Sequence, residues 1–128
     1  MRNIRKKILV VEDDISTQKL VDFHLKDLYD VKVLSDGWKA IDILNKGMEC
    51  DLILTDVEMP ELNGLKMMEI LDDLPKINQI PVIVMSSILK DSLQLDLDLG
   101  NYFGFLPKPI VPDEMYLRIE EAFVSKLA

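Results

Sequence analysis

Ile8-Leu9-Val10-Val11-Glu12-Asp13-Asp14 is the stretch on which the fold turns. Apolar residues, most of them β-branched, stand in an unbroken run, and acids cut it off. A run this short and this continuously apolar predicts a strand buried on both faces, as in a parallel sheet. Further short strand candidates follow at residues 31–34, 52–54, 82–85 and 103–106.

Helical patterns fill the spaces. From about Ser16 to Leu28, the residues Leu20, Val21, His24, Leu25 and Leu28 recur at spacings of three and four, which predicts a helix face. Residues 38–44 place Ala40, Ile41 and Leu44 on one side of a short helix that stops near Gly47. Pro60 and Gly64 bracket a loop, and residues 65–74 read as a helix ending before Pro75. Pro112-Asp113 opens a last helix carrying Met115, Ile119 and Phe123 at fourfold spacing. Trp38 is expected to pack, and Met67-Met68 to lie half in the core and half on the surface. Strands alternating with helices predict an α/β fold: a doubly wound, five-stranded parallel sheet with helices on both faces. Right-handed crossovers restrict its winding. One segment resists. Leu93, Leu95, Leu97 and Leu99 alternate with Gln94, Asp96 and Asp98, a strand period where a crossover helix is needed. A helix is expected there, with one or two leucines facing outward.

The chain has 128 residues, which suits one domain over 1–128. Its hydrophobic share of 48% and charged share of 30% are those of a soluble globular chain. With 23 acidic and 15 basic residues the formal charge is −8, which disfavours direct binding to nucleic acid. A lone cysteine, Cys50, excludes an internal disulfide and reads as a small buried hydrophobe. The basic residues 1–7 precede too short an apolar run for a signal peptide, and no run reaches membrane-spanning length. A cytoplasmic protein without membrane contact is expected.

In open parallel sheets, ligands bind beyond the carboxyl ends of the strands. Those ends carry Glu12, Asp13 and Asp14 after the first strand and Asp56 after the third. Ser86 and Ser87 follow the fourth and Lys108 the fifth, while the second ends in Ser35-Asp36 at the expected sheet edge. Each alone has an ordinary explanation as a helix cap, a turn residue or a solvated charge. Together they gather carboxylates, a hydroxyl and an ammonium on one rim. Two carboxylates about 5 Å apart repel by roughly 3 kcal/mol at an effective dielectric near 20. A hard divalent cation with oxygen ligands, magnesium above all, relieves that cost. Asp as nucleophile, a cation and an ammonium are sufficient parts for phosphoryl transfer.

At this point the sequence resembles the receiver domains of two-component response regulators. The resemblance runs from Ile8 to about Phe123. It rests on Ile8-Leu9-Val10-Val11-Glu12-Asp13-Asp14, Asp56-Val57-Glu58-Met59-Pro60 with Gly64, Pro81-Val82-Ile83-Val84-Met85-Ser86, and Phe105-Leu106-Pro107-Lys108-Pro109. It implies a flavodoxin-like sheet of order 2-1-3-4-5. It also implies roles. Asp56 is the expected phosphoacceptor, and Lys108 binds the phosphoryl group. Ser86 is the switch hydroxyl, and Phe105 the aromatic that turns with it. Mg²⁺ is the implied cofactor, held by Asp13, Asp56 and the backbone carbonyl of Glu58, with Glu12 acting through water. The Lys108–Pro109 bond is expected to be cis. Phe105 departs from the commoner Tyr, and Asn101 stands where Gly usually ends the fourth helix, although Asn tolerates the left-handed region. Glu58 adds an acid two residues past the acceptor and is expected to influence hydrolysis of the phosphoryl group.

The resemblance implies a phosphohistidine donor on a sensor histidine kinase or phosphotransfer protein. His24 is instead expected to be a packed or half-exposed core neighbour. A downstream protein partner is expected on the face of the fourth helix, fifth strand and last helix, with the outward leucines of residues 93–99 and Tyr102 contributing. A phosphorylation-dependent homodimer is a further expectation. The chain would catalyse only its own phosphorylation and dephosphorylation. Two other classes compete. A pseudo-receiver that binds without taking phosphate is disfavoured because Asp13, Asp56, Ser86 and Lys108 are all present. A magnesium-dependent phosphatase with an Asp nucleophile usually needs a second Asp where Glu58 stands.

Overall fold

A computed structural model describes residues 5–88 and 100–127. The strands are β1 (Lys7–Val11), β2 (Asp30–Leu34), β3 (Leu52–Asp56), β4 (Val82–Ser86) and β5 (Tyr102–Pro107). The described helices are α1 (Ile15–Leu25), α2 (Gly37–Asn45), α3 (Gly64–Asp72) and α4 (Pro112–Leu127). The strands form one sheet in the order β2-β1-β3-β4-β5, and every pair is parallel. The expected order therefore holds, with β2 and β5 at the edges. The expected helix before β5 and the alternating leucines lie outside the described residues.

The continuous apolar runs find cover on both sides because successive side chains point to opposite faces. Ile8 and Val10 join a core with Val21 and Leu25 of α1 and Met115, Ile119, Ala122 and Phe123 of α4. Leu9 and Val11 join a second core with Ala40 and Leu44 of α2 and Met67, Met68 and Leu71 of α3. β1, β3 and β4 are buried almost throughout, and each large apolar side chain so buried contributes about 1.5–3 kcal/mol.

Local chemistry starts the helices. Asp14 caps α1, accepting from the Thr17 N–H at 2.9 Å and the Thr17 hydroxyl at 2.7 Å. Asp36 caps α2 through the Trp38 N–H, and Asn63 caps α3 through the Lys66 N–H. Tyr116 ties α4 to α1 by donating to the His24 carbonyl at 2.9 Å, which makes His24 the half-buried packing neighbour expected of it. Cys50 is buried, as expected.

Some details differ from the sequence pattern. α1 starts one residue earlier and ends at Leu25, so Leu28 lies beyond it, 56% exposed, and Leu20 is at the solvent margin. Met67 and Met68 are both buried, because α3 packs on α2 as well as on the sheet and two adjacent positions are covered. Trp38 is 51% exposed at the start of α2. Asn101 does not use the left-handed region. Its side chain is buried and donates to the Met68 carbonyl at 3.0 Å, joining the start of β5 to α3.

Gly64 decides how close α3 comes to the sheet. A Cβ there would lie 2.1 Å from the Asp56 carbonyl oxygen, a backbone atom that cannot rotate away. Gly64→Ala is therefore expected to lower stability by about 1–3 kcal/mol or more, read as the shift in a urea denaturation curve, by prying α3 from the end of β3.

Candidate phosphoacceptor site

The pocket is built where four strands end. Asp56 closes β3 with 3% of its surface exposed, and Glu12 follows β1 with none exposed. Asp13, the next residue, is exposed to solvent. Carboxylate oxygens of Glu12, Asp13 and Asp56 lie within 4.8 Å of one another. Lys108, after β5, reaches across from the far side. Its ammonium stands 2.6 Å from Glu12 Oε1 and 3.1 Å from Asp56 Oδ1. The Lys108–Pro109 peptide is cis, as expected. The Lys108 N–H also donates to the Ser86 carbonyl at 2.8 Å, which fixes the end of β5 against the end of β4.

Crowding shows in the protonation balance. Burial, then the neighbouring Asp56 carboxyl, pushes Glu12 from its ordinary 4.5 up to about 7, against the pull of Lys108. Burial alone would lower the Lys108 ammonium, but its bond to Glu12 and the charge of Asp56 outweigh this and raise it. One ammonium thus faces two buried carboxyls, and a third, exposed carboxyl lies near both of them. The donor set is all hard oxygen, and Asp13 leaves one side open to water. Both features suit magnesium, which keeps several waters in such sites.

Around the acceptor the backbone is held closely. The Thr55 hydroxyl donates to the Asp56 carbonyl at 3.0 Å, and the Glu58 N–H approaches Asp56 Oδ1 at 3.3 Å. Ser86 is 1% exposed, and its hydroxyl donates to Glu58 Oε1 at 2.9 Å. Phe105 is half-buried on β5, opposite Val84. Of the residues singled out from the sequence, Glu12, Asp13, Asp56, Glu58, Ser86 and Lys108 are brought together here. Two contacts were not visible in the sequence. One is the side-chain bond between Glu58 and Ser86, and the other is the Gln18 side-chain amide donating to the Glu12 carbonyl. Glu58 and Ser86 are 28 residues apart, and nothing local marks them as partners. Of the acids after β1, Asp14 serves the helix, and Asp13 is left to the pocket.

This sheet, with acids after β1 and β3 and a lysine after β5, is the architecture of a phosphorylation-type signalling module. The chain matches the response regulator receiver domain family over residues 8–120, and it belongs to that family. It is 33% identical over 123 residues to the 3',5'-cyclic-nucleotide phosphodiesterase regA of Dictyostelium discoideum, covering 93% of this chain and 15% of that protein. It is 36% identical over 117 residues to the transcriptional regulatory protein CpxR of Escherichia coli, covering 88% of this chain and 47% of that protein. The chemotaxis response regulator CheY4 of Vibrio cholerae has the same fold, with a TM-score of 0.82 at 23% identity over 92% of this chain and 98% of that one. The chain spans less than half the length of both curated relatives. No helix among the described residues is long and apolar enough to cross a membrane.

Proposed function

We propose that this chain accepts a phosphoryl group on Asp56 from a phosphohistidine and thereby switches a protein-binding face. The observation that carries this is the convergence of Glu12, Asp13 and Asp56 oxygens within 4.8 Å, with the Lys108 ammonium at 2.6 and 3.1 Å from two of them. Asp56 attacks phosphorus, an O–P bond forms, the N–P bond of the donor breaks, and the imidazole leaves. Lys108 neutralises charge on the phosphoryl oxygens as they pass through a loose transition state. Asp13, Asp56 and the Glu58 carbonyl would hold magnesium, with Glu12 acting through water. The ion supplies further positive charge to the phosphoryl oxygens. Ser86 then donates to a phosphoryl oxygen, and Phe105 turns inward with it. Hydrolysis returns the carboxylate and releases inorganic phosphate.

The donor is a sensor histidine kinase or phosphotransfer protein in the cytoplasm. The output face combines β5, α4 and the segment before β5. Leu117 and Val124 of α4 are 55% and 64% exposed apolar residues, and Tyr102 at the start of β5 is half-buried. A downstream partner or a second phosphorylated copy would use that surface.

The test is incubation with acetyl phosphate and magnesium followed by intact-mass measurement. One added phosphoryl group is expected, and chelation of magnesium is expected to suppress it. An unmodified chain would overturn this function. Glu58→Asn is expected to change the dephosphorylation rate severalfold, because position 58 stands against both Asp56 and Ser86. The decay of the phosphorylated mass after donor removal measures it.

A further inference from the structure

The Ser86 hydroxyl is already committed before any phosphoryl group arrives. It donates to Glu58 Oε1 at 2.9 Å, and its oxygen accepts the Ile88 N–H at the same distance. Ser87 approaches the same carboxylate at 3.4 and 3.5 Å, too long to count as a strong bond. A serine hydroxyl has one proton to donate. Ser86 is 1% exposed, so solvent is not an alternative acceptor that would let it idle between partners. Whatever Ser86 gives to a phosphoryl oxygen, it must take from Glu58.

We propose that the Glu58 carboxylate is a latch: a built-in competitor of the phosphoryl group for the Ser86 hydroxyl, which holds the chain in its unphosphorylated arrangement. This deepens the function proposed above and rests on it. Glu58 is a positioning residue here, acting through Ser86 rather than on phosphorus.

The geometry also supplies the release. The Glu58 N–H lies 3.3 Å from Asp56 Oδ1, so the acid that holds Ser86 is rooted beside the acceptor. A phosphoryl group on Asp56 replaces the single negative charge of the carboxylate with a total of about −1.5 to −2 and brings strong acceptor oxygens. The same event repels the exposed Glu58 carboxylate and offers Ser86 a replacement acceptor. Breaking a hydrogen bond to a charged group changes an equilibrium by about tenfold or more. The latch thus sets how much of the unphosphorylated chain has Ser86 released.

The Ile88 amide is the natural reporter, because its N–H ends on the Ser86 oxygen. The measurement is the ¹⁵N–¹H position of Ile88 in the full chain, with and without acetyl phosphate and magnesium, for the parent, Glu58→Gln and Glu58→Ala. In unphosphorylated Glu58→Ala, the Ile88 signal is expected part-way toward its position in the phosphorylated parent, reflecting an approximately tenfold larger released population. Glu58→Gln keeps an uncharged acceptor and is expected to lie between Glu58→Ala and the parent. Glu58 is exposed, so both variants should fold, and unchanged signals elsewhere in the sheet check this. An Ile88 signal in Glu58→Ala that coincides with the unphosphorylated parent overturns the latch. A parent whose intact mass gains no phosphoryl group overturns the functional assignment first, and the competition with it.

Discussion

Asp56→Asn is expected to abolish phosphorylation by acetyl phosphate while leaving the fold intact or more stable. An amide lacks the anionic oxygen that attacks phosphorus, and no other carboxylate in the pocket is placed as Asp56 is. Lys108 holds the fully buried Glu12 more tightly than Asp56, at 2.6 against 3.1 Å, and Asp13 stands exposed at the rim. Loss should therefore be complete in an intact-mass measurement, not partial. Stability moves the other way. Asp56 is the main neighbour raising Glu12, so removing its charge lets Glu12 ionise more easily. Asn keeps an oxygen to accept from Lys108 and from the Glu58 N–H, both of which now meet Asp56 Oδ1. A denaturation midpoint equal to or above that of the parent, beside zero phosphorylation, would separate lost chemistry from lost structure. Persisting phosphorylation would move the acceptor elsewhere.

The sheet was legible in the sequence because continuous apolar runs have few alternatives. A run such as Ile8-Leu9-Val10-Val11 can bury both faces only between helices, and alternation of its side chains into two cores follows from strand geometry alone. The strand ends were legible for the same reason, since the acids and the lysine terminate the runs. Register and cover were less so. Leu28 follows the helical spacing but falls beyond the last turn of α1, and the Met67-Met68 pair breaks the half-surface expectation because α3 packs on α2 as well as on the sheet. Asn101 shows a substitution doing a different job from the residue it replaces: its side chain bonds to Met68, a contact no pattern of backbone preference announces. The Glu58–Ser86 bond is of the same kind. It joins distant strand ends, and only coordinates bring them together.

Lys108→Met is the second substitution with a large expected effect, and it acts on chemistry and stability together. Lys108 is the only ammonium in contact with Glu12 and Asp56 among the described ion pairs. Its side chain is 18% exposed, so the pair it makes with each carboxylate is shielded from full solvent screening. Methionine keeps the length and apolar stem but no charge. Loss of one placed positive donor at a charge-developing site slows a reaction by about 10²–10³ fold, and a similar drop in the phosphorylation rate is expected. On stability, an unpaired buried charged group costs about 1–3 kcal/mol or more. The cost depends on pH. Folded Glu12 is raised from 4.5 to about 7, so between those values the folded chain holds more protons than the unfolded one, and stability falls as pH rises. Lys108 alone pulls Glu12 down, through its hydrogen bond and its charge, and without it the fall extends to higher pH. In metal-free protein the variant should therefore lose less at about pH 5, where Glu12 carries its proton and only the Asp56 pair is broken, than near pH 8, where both pairs are. Urea denaturation at both values measures it, and equal losses at the two would show that the Glu12 charge is not what Lys108 stabilises.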